Sequence, residues 1–321
     1  MSRFTRIGLT MFVIIVGGLS LLPYLLSDGA TGEMPEPPFA ESRVTEIAGQ
    51  RLHYRSWEPD GEPVGAVLLV HGMAGSSFSW RETTDALVAA GYRVVTPDLP
   101  PFGYSEKRAP ADAGTSYQEL LTGLLTEVSS PEQEWVLVGH SMGASAIATL
   151  AAAGEISVAG MVFVGGTHDT ADARGEQNPI SRTVMAYPPV QRWIATVAGR
   201  RMLNEEGLGR ALESAYGREP DEDEVEGYLE PLQIAGTPHA FVRKMLQPET
   251  VAPDTTGESP GLVIWGEADE WVPVSSGRRL AEARPHTRME IIDEAGHSPM
   301  ETHPEEFNTL LLDFLRERTE D

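Results

Sequence analysis

Cysteine is absent from this chain of 321 residues. Disulfides, a thiolate nucleophile and cysteine-built metal sites are therefore excluded, and the redox compartment is left open. Basic charge is scarce as well: 24 Lys and Arg stand against 48 Asp and Glu, a formal net charge of −24, and Lys107 and Lys244 are the only lysines. So negative a chain is a poor partner for nucleic acid or for an anionic membrane surface. An acidic, lysine-poor surface suits a high-salt habitat, although a skewed genomic composition accounts for the arginine preference equally well. No internal repeat is visible. The length allows one large domain, or a domain with a lid, around an ample core.

What is present divides into two unequal parts. Ile7 to Leu26 is an almost unbroken apolar run, and twenty helical residues reach across the roughly 30 Å of a bilayer core. Arg3 and Arg6 precede the run, while Asp28, Glu33 and Glu36 follow it. That asymmetry predicts a signal-anchor over residues 1–27, with the rest outside the cytoplasm. A cleaved signal peptide and a secreted product are the alternative. Residues 28–42, with a Pro- and Glu-rich stretch from Gly32 to Phe39, read as a linker.

From Arg43 onward, short apolar strands alternate with helical patterns. Val44 to Ile47 and Leu52 to Trp57 form an expected hairpin. Ala66 to Val70, Arg93 to Thr96, Trp135 to Val138, Met161 to Val164, Leu262 to Trp265 and Met289 to Ile292 read as buried strands. Uninterrupted apolar strands separated by helices predict an α/β fold, with a mostly parallel central sheet covered by helices on both faces. The alternation stops between Gly166 and Pro260, where only short helical patterns occur. The expected organisation is therefore a core over 43–166 and 260–321, interrupted after the sixth strand by a helical cap over 167–259.

Gly139-His140-Ser141-Met142-Gly143 lies where a strand gives way to an Ala-rich helix. A serine on so sharp a turn stands clear of the sheet, and the helix behind it aims backbone N–H groups at a developing oxyanion. Serine is a weak nucleophile and needs a base, an orienting acid and oxyanion donors, which should sit in loops after strands. His297 follows the last strand within Ala-Gly-His and is the expected base; His71, His140, His168 and His286 compete less well. Asp269 follows the strand Leu262 to Trp265 and is the expected acid, with Asp169 the main competitor and Glu267 and Glu270 as neighbours. The loop His71-Gly72-Met73-Ala74-Gly75 offers the Met73 N–H as one oxyanion donor, and the Met142 N–H is the second. Substrate contacts are expected from His71, Gly72, Trp80, Phe102 and His140.

These motifs resemble those of the α/β-hydrolase family with an inserted cap, over about Arg43 to Arg318. Pro97 to Ser105 also resembles the family's D-x-x-G-x-G-x-S turn, with Pro101 in place of the first glycine. The resemblance implies a serine hydrolase with a Ser141–His297–Asp269 triad, an acyl-enzyme intermediate, and no metal or organic cofactor. The expected partner is a small-molecule carboxylic ester with an apolar acyl or alcohol part. Haloalkane dehalogenases and epoxide hydrolases are similar but use aspartate at the elbow. Carbon–carbon hydrolases, thioesterases, lactonases, amidases and monoacylglycerol lipases stay open, as does a membrane-tethered binding protein without catalysis.

Overall fold

The computed structural model describes residues 3–26, 34–130, 132–167, 183–246 and 259–319. Eight strands form one sheet: β1 (Ser42–Ile47), β2 (Gln50–Trp57), β3 (Gly65–Val70), β4 (Tyr92–Pro97), β5 (Trp135–His140), β6 (Val158–Val164), β7 (Gly261–Gly266) and β8 (Thr287–Ile292). Their order across the sheet is β1-β2-β4-β3-β5-β6-β7-β8. The β1–β2 hairpin and the β2–β4 pair are antiparallel, and every later pair is parallel.

Side chains of a strand alternate between faces, and here both faces are dry. Leu68, Leu137, Phe163 and Val263 enter one core with Leu120, Leu121 and Leu124 of α4 (Tyr117–Val128) and Ile147 and Leu150 of α5 (Met142–Ala153). Val67, Val138, Val162 and Leu262 enter the other, against Leu87 of α2 (Arg81–Ala89) and Phe307, Leu311 and Phe314 of the closing helix Pro304–Thr319. This two-sided burial is why the strands read as continuous apolar runs. A Ser116–Glu119 capping box starts α4, so its first turn is fixed locally.

Among the described residues, four helices lie between β6 and β7. We number them α6 (Pro188–Arg201), α7 (Glu205–Tyr216), α8 (Glu222–Leu232) and α9 (Thr237–Leu246), leaving α3 for the single turn Pro110–Ala113. One apolar cluster joins α7, α8 and α9 to the core: Leu208, Leu212, Tyr216, Tyr228, Leu229 and Leu232 pack with Phe102 and with the partly buried Ala74, Met142 and Phe241. A polar bolt reinforces it. The buried Glu301 carboxylate accepts from Tyr216 Oη and Tyr228 Oη at 2.8 Å and pairs with Arg81 Nη1 at 2.5 Å. Arg81 also pairs with Glu224 of α8 at 3.1 Å. Burial pushes the Glu301 carboxyl up, while Arg81 pulls against that rise.

The N-terminal expectation needs correction. No helix among the described residues is long and apolar enough to cross a membrane. The helix α1 spans Arg3–Leu21 and gives way to a 3₁₀ turn, Leu22–Tyr24, that contains Pro23. Proline lacks the N–H that an α-helix needs, so the apolar run does not continue as one helix. From Ile7 to Leu21 it is about 22 Å long at 1.5 Å per residue, short of a bilayer core. Its end instead lies against α6, where Trp193 Nε1 donates to the Leu19 carbonyl at 2.8 Å and Arg192 Nε to that of Pro23 at 3.2 Å.

Removing one partner from a buried, charged network leaves the others unpaired. Glu301→Ala is expected to lower unfolding stability by about 3 kcal/mol in urea denaturation. Limited proteolysis of the variant is expected to cut the α6–α9 segment sooner than the sheet.

Candidate active site

At the end of β5 the chain reverses into α5 within one residue. Ser141 occupies φ 50°, ψ −114°, a region non-glycine residues seldom enter. Strain of this kind costs on the order of 1–3 kcal/mol and persists only where surroundings enforce it. Here backbone encloses the turn. A Cβ at Gly143 would stand 2.3 Å from the Val70 carbonyl oxygen, and one at Gly166 would stand 2.3 Å from the Ser141 carbonyl oxygen. The Ser141 N–H donates to the Val164 carbonyl at 2.8 Å, tying the elbow to β6.

The strand β6 also brings the serine and histidine loops together. Gly166 lies against the Ser141 backbone, and the adjacent Gly165 lies against the His297 ring, 3.3 Å from Nδ1 to a Cβ built there. His297 Nδ1 meets Asp269 Oδ2 at 2.8 Å, with both side chains buried. Asp269 Oδ1 accepts from the Trp271 and Val272 N–H groups at 2.9 Å each. A carboxylate so held needs Nδ1 as the donor, which leaves Nε2 to take a proton. The ring lies 5.2 Å between centroids from Trp271 and 4.9 Å from His140. Among the competing acids, Glu267 and Glu270 are exposed. His286 is exposed too, while His168 and Asp169 lie outside the described residues.

His71 and His140, expected to contact substrate, are instead buried rings bonded inside the protein, His71 through both nitrogens and His140 through Nε2. His71 Nδ1 donates to the Gly72 carbonyl at 2.7 Å, and Nε2 accepts from the Leu99 N–H at 2.8 Å. Gly72 O also accepts from the Gly75 N–H at 3.2 Å. In a trans peptide the N–H points opposite the carbonyl, so these two bonds fix the direction of the Met73 N–H. Gly72 itself lies beside the elbow, 3.1 Å from Ser141 Cβ to a Cβ built on it. His140 Nε2 donates to the His297 carbonyl at 2.9 Å, anchoring the histidine loop to the elbow. Burial lowers the pKa of both rings, and for His140 the neighbouring His297 adds to it. Both therefore remain neutral donors.

Trp80 is also displaced from its expected role. It is fully buried in the α2-side core and packs on Phe307, with ring centroids 6.4 Å apart. Phe102 is equally buried, but edge-on to both His71 and Phe241, so it backs the site. Met142 opens α5, where the first N–H groups of a helix have no partner within it. Met73 is 45% exposed, which leaves its loop open to a ligand.

Sequence reasoning missed three groups. Trp271 lies against the His297 ring, and its place two residues after Asp269 is the signal in the sequence. Thr167 takes φ 54°, and among the described residues its buried Oγ1 has no hydrogen-bond partner. Asp98 is the third. Its Oδ1 accepts from the Ser77 N–H at 2.6 Å, and its Oδ2 from the Tyr104 N–H and His53 Nδ1, both at 2.7 Å. Asp98 thus ties the loop after β4 to the oxyanion-side loop after β3. Burial opposes its charge, yet His53 and the backbone donor hold its carboxyl well below the usual carboxylate range.

A strained serine, a buried His–Asp pair and two helix- or glycine-bounded N–H groups now share one end of a parallel sheet. Residues 67–310 match the family model described as alpha/beta hydrolase family. The chain belongs to this family. It is 27% identical to the uncharacterized hydrolase YugF of Bacillus subtilis over 293 residues, 84% of this chain and 96% of that one. It is 28% identical to a 2-hydroxy-6-oxononadienedioate/2-hydroxy-6-oxononatrienedioate hydrolase of Dechloromonas aromatica, over 83% of this chain and 90% of the relative. A solved structure of a provisionally assigned aryl esterase from Burkholderia cenocepacia superposes with a TM-score of 0.66 at 25% identity, covering 87% of this chain and all of the other. The protein is a hydrolase with hydrolase and esterase relatives.

A carboxyl whose folded pKa is depressed stabilises the fold in full above its unfolded pKa, near 4, and loses that contribution as pH falls toward the folded value. Asp98→Asn is accordingly expected to be about 3 kcal/mol less stable than the parent at pH 7. The gap should narrow at pH 3.5, as read by urea denaturation at both values.

Proposed function

We propose that this hydrolase cleaves a carboxylic ester through an acyl-enzyme on Ser141. The observation that carries the reading is the buried Asp269–His297 pair, 2.8 Å apart, at the same end of the sheet as a serine held at φ 50°, with Gly165 against the ring and Gly166 against the serine backbone. In the first step Ser141 Oγ bonds to the carbonyl carbon while its proton passes to His297 Nε2. The Met73 and Met142 N–H groups receive the oxyanion. The carbon–oxygen bond to the alcohol then breaks, and His297 returns the proton to the leaving oxygen. Water, deprotonated by the same ring, adds to the acyl carbon, and Ser141 leaves with the proton. Asp269 holds the ring in the required tautomer and balances the imidazolium. His71 and His140 cannot compete for the proton, since burial keeps them neutral.

The α6–α9 segment serves as the cap in this reading. Its apolar cluster reaches Met142 beside the nucleophile and Ala74 beside Met73, which favours an apolar acyl or alcohol group. The unpaired Thr167 hydroxyl is a polar group left for substrate. Carbon–carbon bond hydrolysis is the second reading, favoured by the names of several relatives. Those names denote dicarboxylates, whose charge is ill matched to this apolar cluster, so we place it second.

Ser141→Ala is expected to reduce kcat/KM for short aryl esters by at least about 1000-fold while leaving the fold intact. Steady-state rates on an aryl ester series and on a 2-hydroxy-6-oxo-dienoate, measured with the same preparation, separate the two readings. Faster turnover of the dienoate would replace the ester as substrate, and undiminished turnover by the alanine variant would remove Ser141 as nucleophile.

A further inference from the structure

The exposed large apolar side chains of the described residues are not scattered. They fall in the stretch Met11 to Leu25 and in the inserted helices, from Val184 to Met202 with Met245; only Val44, Val64, Met73 and Trp271 lie elsewhere. Leu25 is 81% exposed and Met202 54%. Contiguous apolar surface of this kind normally marks an interaction site. The two stretches belong together, because the end of α1 is bonded to α6. Besides the Trp193 and Arg192 hydrogen bonds, Ser20 Oγ lies 3.1 Å from Tyr187 Oη, and the Arg192 guanidinium sits 4.9 Å over the Tyr24 ring.

Charge divides the same way. The sequences of α1, α6 and α9 contain no acidic residue, while Arg192, Arg200 and Arg201 lie in α6 and Arg243 and Lys244 in α9. The neighbouring α8 carries Glu222, Asp223, Glu224, Glu226 and Glu230. Arg243 is ion-paired with Asp112 and Lys244 lies over the Tyr117 ring, so the cations that this chain of net charge −24 presents on its apolar face are those of α6. Arg200 and Arg201 are exposed beside Val197 and Met202, and Tyr24, Tyr187 and Trp193 lie at the junction of α1 and α6. Apolar side chains interleaved with arginine and edged by tyrosine and tryptophan suit the headgroup boundary of a lipid layer. Symmetric pairing of two copies through this face would set like charges against one another.

We infer that the face formed by α1 and α6, with α9 beside it, docks the protein on the surface of an anionic phospholipid bilayer without crossing it. The inference does not depend on which bond the enzyme cleaves. It also refines what net charge alone implies: repulsion from anionic lipid is a property of the whole chain, not of this face. Attraction of the exposed arginines to the charged surface, added to shallow burial of the apolar side chains, supplies the binding.

The absence of cysteine makes a direct test available. Single cysteines introduced in the full chain as Val197→Cys, Met202→Cys and, as a control on β1, Val44→Cys can each carry an environment-sensitive dye. The vesicles are phosphatidylcholine alone, or phosphatidylcholine with one-third phosphatidylglycerol. The expected result is binding at least tenfold tighter to the anionic vesicles, weakened by 0.5 M salt, with a blue shift at positions 197 and 202 and none at 44. Equal affinity for both vesicles would overturn the inference. So would binding with positions 197 and 202 unshifted, which would leave the N-terminal segment as the only contact, or self-association without vesicle binding. None of these readouts uses hydrolysis, so failure here is separable from failure of the ester reading.

Discussion

The turn at Ser141 is the constraint on which the rest of the site depends. A non-glycine residue at φ 50° is held there because backbone closes on it from three directions: Val70 and His71 at Gly143, Gly166 at its own carbonyl, and Gly72 at its Cβ. Each of those neighbours ends a parallel strand or begins the loop after one. The strained serine therefore requires the β3–β5–β6 register. Its strain is offset by the two dry cores on either side of the sheet, which fix that register far more strongly than a few kcal/mol can distort it.

Around the elbow, histidines divide the labour by what their environment lets them be. His297 has a carboxylate on one nitrogen and two aromatic rings against it, so it is oriented. Among the described residues no carboxylate is bonded to His71 or His140, and burial lowers the pKa of both. One fixes the peptide that carries the Met73 N–H, and the other fixes the carbonyl of His297. Asp98, in turn, holds the loop of the first donor through Ser77. The proposed chemistry thus uses a small set of atoms, and a larger polar network keeps those atoms in place.

The strands were legible because both faces of the sheet are buried, which turns each into an apolar run such as Val136-Leu137-Val138. The positions of Ser141, His297 and Asp269 were legible because glycine turns and strand ends mark them in the sequence. The partners of His71 and His140 were not, since a bond such as His140 to His297 spans 157 positions and leaves no local pattern. Without that information, their place beside glycine turns suggests that both face substrate. Trp80 misled for a similar reason: an aromatic near a functional loop can as easily point into the opposite core. At the N-terminus, hydropathy alone joined residues across Pro23, whereas helix geometry does not. Net charge concealed a segregated surface, because a sum cannot show where the arginines of α6 lie.

The central claim is that a single hydroxyl, Ser141 Oγ, is the nucleophile that His297 activates. The most direct measurement is peptide-level mass spectrometry of the protein after brief exposure to a fluorophosphonate at neutral pH, with unfolded protein as control. The account predicts one adduct per folded chain, located on Ser141, and none on the unfolded control. An adduct on another hydroxyl, or none on a folded protein that still turns over an ester, would contradict it.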